Sequence, residues 1–156
     1  MKGLITPNQR GIATVEFAIC GAVYFVVLFA VIEVGRFMFA LNILDEVTRR
    51  GARLASVCSV TENNQVINTA IMNGRVMNGL LPSHVEIQYF TPDLVLIADP
   101  VADFSNIVYV RVRIQGYAHR LLIPFFFTDI DSPSFATTVL AESLGVSPPG
   151  SGTTAC

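Results

Sequence analysis

Hydrophobic and polar positions divide the chain into three stretches with different periodicities. From Ile12 to Ile32 the pattern is apolar all round, with one charged residue, Glu16, in 21 positions. As a helix this run is roughly 31 Å long at about 1.5 Å per residue, the thickness of a hydrocarbon core of about 30 Å. It exceeds the apolar core of a cleavable secretory signal, about 7–15 residues. No small-x-small cleavage site follows it before a new domain, and helical sequence continues without a break to about Val57. A helix over 12–57 would be on the order of 69 Å long and would project well beyond a bilayer.

In the projecting half the pattern becomes amphipathic. Phe39, Ile43, Val47, Leu54 and Cys58 fall on one stripe, with Asn42, Asp45, Arg49 and Arg53 on the other side. Arg36 and Arg50 lie near the apolar stripe and weaken the pattern. Asp45 with Arg49, and Glu46 with Arg50, are acid-before-base pairs at i,i+4, each worth about 0.3–0.5 kcal/mol. The stripe predicts a globular head packed on one side of the helix.

Beyond Val57 the periodicity shifts again. Ser59 and Glu62 have capping-box spacing, and Asn63 and Asn64 offer other starts. Ile67, Ala70, Ile71, Met77 and Leu81 recur at helical spacing before Pro82, so a second helix is expected at about 63–80. Period-2 alternation then marks three strands: Val85–Tyr89, Val108–Ile114 and Phe135–Glu142. Thr91-Pro92-Asp93, Asp99-Pro100 and Asp129–Pro133 carry turn chemistry. The run Leu121–Phe127, LLIPFFF, is too short to span a bilayer. It is expected to tuck beneath the head or against the long helix, with a partner-binding or membrane-resting patch as the alternative. The fold class is α+β: a long N-terminal helix, a second helix and a small antiparallel sheet of about three strands. The organisation read from this is a leader at 1–11, the helix at 12–57 with its membrane span at 12–32, a head at 58–144, and a Pro/Gly/Ser tail at 145–156.

Composition sharpens the picture. Of 156 residues, 52% are hydrophobic and 14% charged, against about 25% charged in soluble domains. The net charge is −2, and the basic residues Arg49, Arg50 and Arg53 sit among Asp45 and Glu46, which argues against a nucleic-acid partner. Lys2 and Arg10 precede the span and Arg36 follows it, which favours a cytoplasmic N-terminus.

No catalytic constellation stands out. His84 and His119 have no nucleophile motif near them and read as surface or turn histidines. Asp129 and Asp131 are two carboxylates in a loop, too few for calcium, which takes about 6–8 oxygens. No nucleotide, dinucleotide or zinc-hydrolase pattern is present. An enzyme, a cofactor, a metal and a small-molecule substrate are therefore not expected. The three cysteines, Cys20, Cys58 and Cys156, are too far apart for zinc spacing. Cys20 reads as a packing residue. Cys58 and Cys156 fall on the head side, where they either form a disulfide that ties down the tail or remain two free thiols on a mobile tail.

Glu16 is the anomaly. A charged carboxylate at the centre of a span costs about 2.5–3.5 kcal/mol on insertion scales, and Ile12, Ala13, Ile19 and Cys20 offer no cation. Near the interface it could snorkel or be protonated; otherwise a partner must come from cleavage or from another subunit. The stretch Arg10-Gly11-Ile12-Ala13-Thr14-Val15-Glu16-Phe17 resembles a class III prepilin-peptidase site: a polar leader ending in Gly, four residues, then Glu and an aromatic residue. Together with Glu33-Val34-Gly35-Arg36 and Arg50-Gly51-Ala52-Arg53, it resembles the TadE-like pseudopilins of tight-adherence (Flp-type) pilus systems.

That resemblance implies cleavage between Gly11 and Ile12 by a prepilin peptidase, with Glu16 and Phe17 serving assembly and leader recognition. It implies partners in other pilin or pseudopilin subunits, the inner-membrane pilus platform and membrane lipid. It also implies an inner-membrane location with an extracytoplasmic head, and a minor role in initiating or assembling an adhesive pilus. The alternatives are an uncleaved single-pass anchor presenting a binding head, and a pseudopilin of a secretion system.

Overall fold

The computed structural model describes residues 10–75, 77–122, 128–146 and 156. Its organising element is one helix, α1 (Arg10–Val57), of 48 residues, about 72 Å long. Its N-terminal half is uncovered: the most apolar window of the helix has none of its residues buried, and it is long and apolar enough to cross a membrane. Side chains such as Val23, Phe25, Val27 and Val31 stand free around it. The C-terminal half carries the head.

A 3-10 turn at Val60–Glu62 leads into α2 (Asn63–Ala70), and Ser59 caps that turn by accepting from the Thr61 N–H. Three longer strands follow, β1 (Val85–Phe90), β2 (Tyr109–Ile114) and β5 (Phe135–Leu140), joined as an antiparallel sheet in the order β1-β2-β5. Val85 pairs with Ile114, and Tyr109 with Leu140. The alternation in β2 works as expected: Val110, Val112 and Ile114 are buried, while Tyr109, Arg111 and Arg113 are half-buried. A separate two-stranded ribbon, β3 (Ala118–Arg120) with β4 (Asp129–Asp131), completes the α+β head.

The buried stripe of α1 is offset from the expected one. Phe39 is 61% exposed, and the core side is made by Ala40, Leu44, Val47, Thr48, Ala52, Ala55 and Cys58. Small residues win because helix and sheet approach closely. A Cβ on Gly51 would lie 3.1 Å from Val112 Cγ1 and 3.5 Å from Ala70 Cβ. Buried Thr48 donates to the Asp45 carbonyl and shares a 2.9 Å hydrogen bond with Thr137 of β5, so its hydroxyl is satisfied inside the seam. Of the two expected helix-face pairs, Asp45–Arg49 forms at 2.8 Å, and Glu46–Arg50 is not among the ion pairs of the described residues.

The second helix is shorter than the expected 63–80. It ends at Ala70, and Met72, Asn73 and Gly74 turn consecutively into the left-handed region. Asn and Gly tolerate that conformation and stop a helix, so the apolar spacing of Met77 and Leu81 belongs to turns, not to a continued helix. Tyr89 ties β1 to the start of α2. Its hydroxyl donates to Asn63 Oδ1 at 2.7 Å, and burial pushes its pKa up to about 12, against a smaller opposing effect of that bond.

The chain after β5 closes the C-terminal end of α1. The last carbonyls of a helix lack intrahelical partners. Here the Ser56 carbonyl accepts from the N–H groups of Glu142 and Leu144, and the Val57 carbonyl accepts from Gly145 N–H and the Ser143 hydroxyl. Gly145 therefore packs against the end of α1 with the rest of this closing segment. Cys58 and Cys156 are joined as a disulfide, Cα to Cα 5.8 Å, across a separation of 98 residues. Of the two alternatives for these thiols, the structure takes the bridge.

Candidate functional site

The N-terminal residues singled out from the sequence occupy the first turns of α1. Gly11, Ile12, Glu16 and Phe17 are all exposed, and a Cβ on Gly11 would meet nothing within 4 Å. A glycine costs a helix about 1 kcal/mol relative to alanine, and the Gly11–Ile12 peptide bond lies in the first turn of α1. Gly11, Ile12, Val15, Glu16 and Ile19 line one open face. The i,i+4 relation places Glu16 one turn above Ile12 on that face. The ion pairs of the described residues join Arg36 and His119 to Glu33, Arg49 to Asp45 and Arg113 to Glu86; none includes Glu16.

A second station lies where the apolar run ends. Glu33 is only 5% exposed and makes four contacts. Arg36, one turn later, reaches it from Nη1 at 2.7 and 2.9 Å. From the head, His119 Nε2 lies 3.1 Å from Oε1 and the Leu122 N–H donates to Oε2 at 3.2 Å. A carboxylate only accepts, so Nε2 is the protonated ring nitrogen here. Burial pushes the Glu33 pKa up, but His119, the Leu122 N–H and Arg36 together outweigh it and hold the carboxyl below its usual range. Phe37 packs edge-on to the His119 ring at 5.4 Å between centroids.

This junction corrects the reading of His119 as a surface or turn residue: it is 5% exposed and pins β3 to α1. The burial signal was available in the lone acid of the E-x-G-R element, a carboxylate beside a membrane span that needs partners. The partner 86 positions away was not legible from spacing. His84 does sit in a turn, where its Nδ1 accepts from the Leu81 N–H. Asp129 and Asp131 lie on β4, not in a loop. Among the described residues no group of three or more His, Cys, Asp or Glu is placed to hold a metal ion. Leu121 and Leu122 of the apolar run lie beside the junction, and residues 123–127 fall outside the described residues. Cys20 is an exposed free thiol on the span.

The exposed Gly11-to-Glu16 face, the apolar span that it opens, and the Glu33–Arg36 and Arg50–Arg53 elements follow one another on one helix. Residues 11–53 match the family model described as TadE-like protein. The TadE-like segment thus begins at the glycine of the proposed processing site and ends within the helix stripe that holds the sheet. It includes Glu16, Phe17, Glu33, Arg36 and Gly51, and excludes the whole of the head. No curated protein and no solved structure matches the chain. The head's partners to the TadE-like helix, His119 and Val112 among them, are therefore read from the structure alone.

Proposed function

We propose that the protein is a minor pilin-like subunit of a Tad (Flp-type) pilus, processed by a prepilin peptidase between Gly11 and Ile12 and acting in pilus assembly or initiation for adhesion. One observation carries this reading. The Gly-x4-Glu-Phe spacing sits at the exposed start of an uncovered apolar helix, and the TadE-like match begins at that glycine.

Cleavage would free an ammonium group on Ile12, one turn below Glu16. A carboxylate in hydrocarbon needs a cation, and the amine of the same or a neighbouring subunit would supply it. Between subunits that pair would set register, the best-attested use of a buried ion pair. The N-terminus would face the cytoplasm and the head the extracytoplasmic side, where the Cys58–Cys156 bridge is chemically at home. The role is structural, without catalysis or cofactor. The head is too large for a short filament building block of the helix-only kind, which favours a minor or priming subunit that meets other pilins and the inner-membrane platform.

The experiment is N-terminal sequencing of membrane-extracted protein from cells with and without an active prepilin peptidase. A chain beginning at Ile12 only in the first supports processing. A chain beginning at Met1 in both favours an uncleaved anchor presenting its head.

A further inference from the structure

The geometry points to the β3–β4 ribbon as a second membrane contact: its Leu122 end rests in the interfacial layer of the same bilayer that α1 crosses. Three observations carry this. Glu33 follows the apolar run directly, so it marks the level at which α1 leaves the hydrocarbon. The Leu122 N–H donates to Glu33 and His119 is locked to the same carboxylate, which fixes the end of β3 at that level. Leu122 then points outward, 65% exposed, and shares a recess with Phe29 and Ile32, which are themselves exposed residues of the span's last turns. An apolar side chain held beside the last turns of a membrane span is covered by the lipid that covers the span.

The surroundings suit a headgroup layer. An open cleft of about 890 Å³ beside the ribbon is lined by Ile32, Phe39, Tyr117 and Leu122, with Arg36 and Arg120 at hand for phosphate oxygens. Apolar residues with a cationic and aromatic border are the composition of interfacial contacts, which bury about 5–10 Å into the headgroup and acyl boundary. The occupant is a phospholipid bilayer surface. The ribbon would fix the tilt and rotation of the head relative to the membrane, which a single helix leaves free.

The inference rests on the membrane reading of the span, not on processing or on a pilus role. The chain has no Trp, so single reporters are available in the full-length protein reconstituted into phosphatidylcholine vesicles. Leu122→Trp reports the ribbon, Val23→Trp the span and Leu94→Trp the distal end of the head. With lipids brominated near the headgroup end of the acyl chains, the expected result is a loss of emission for Leu122→Trp, at the depth of an interfacial contact, and none for Leu94→Trp. Quenching of Val23→Trp by deeply brominated chains, with Leu122→Trp quenched only by aqueous iodide, would overturn the ribbon contact and leave the span intact. Absence of quenching at Val23→Trp would instead remove the membrane reading itself, and the ribbon contact with it. A measurement on the unaltered chain covers misfolding of the variant. In nanodiscs the Leu122 methyl groups should show cross-relaxation with lipid acyl protons; contact only with water, or with a second copy of the chain, would refute the proposal.

Discussion

Glu16 and Glu33 are two acids on one helix with opposite surroundings. Glu16 is exposed at the start of the apolar run, outside every ion pair of the described residues, whereas Glu33 is buried among His119, Arg36 and the Leu122 N–H. The carboxylate of the first is open to whatever surrounds the helix; that of the second is engaged within the fold. Replacing Glu16 by Ala should ease bilayer insertion by up to about 2.5–3.5 kcal/mol while lowering the subunit recovered in sheared pili, measured by immunoblot of both fractions. Replacing His119 by Ala removes a bond inside a buried junction and should cost the head about 1–3 kcal/mol, read by denaturant unfolding in detergent. The pH response has a definite sign. Glu33 has a folded pKa below its unfolded one, so its contribution is present above the ordinary glutamate range and is lost as pH falls through the folded value. The protection of the Ala118–Arg120 amides, measured relative to their intrinsic exchange rate at each pH, should therefore fall in acid, and Glu33→Gln should abolish that dependence.

The elements themselves depend on residues without side-chain chemistry. At Gly51 a Cβ meets Val112 at 3.1 Å, and a bulky side chain there must push the sheet away from α1. Gly51→Leu should destabilise the head by about 1–3 kcal/mol, more than any gain in helix propensity, which is about 1 kcal/mol. Gly145 is harder still to replace: it has φ +82°, and a Cβ would sit 2.8 Å from the backbone of Ser59. Gly145→Ala should lower the melting temperature and loosen the closure of α1, seen as faster exchange of the Leu144 amide, which bonds the Ser56 carbonyl.

Much of this level was legible in the chain. The single long helix and the alternation of β2 follow from periodicity, because each presents one face to one environment. Large apolar residues pull the expected stripe of α1 toward Phe39, whereas the close approach of the sheet selects the face of Gly51, Ala52 and Ala55. Helical spacing of Met77 and Leu81 overextends the second helix, because periodicity carries no mark of the left-handed stop at Asn73 and Gly74. The ribbon β3–β4 was missed: three-residue strands leave no periodicity, and their position depends on one distant carboxylate.

At the scale of the whole molecule, the head is held to α1 at three levels: the Glu33 junction near the span, the Gly51–Val112 seam at mid-height, and the Cys58–Cys156 bridge beyond the last turn. A bridge across about 98 residues is worth on the order of 4–5 kcal/mol in the chain-entropy view. Mass spectrometry after alkylation without reductant should find one modified thiol, Cys20, and reduction should expose three while lowering thermal stability. The proposed processing and assembly residues, Gly11, Ile12, Glu16 and Phe17, stand out in the sequence because their spacing is local. The bonds of Glu33 to His119 and Leu122 do not, because they exist only once the head has folded back onto the helix.

The reading as an assembling subunit depends most directly on what happens at Gly11. The decisive measurement is the intact mass and N-terminal sequence of the membrane-extracted chain, for the unaltered protein and for Gly11→Val, in cells with an active prepilin peptidase. The expected result is a mature chain starting at Ile12, with the unaltered N-terminus retained in Gly11→Val. A start at Met1 in the unaltered protein, or a start beyond Ile32 that discards the span, would contradict it.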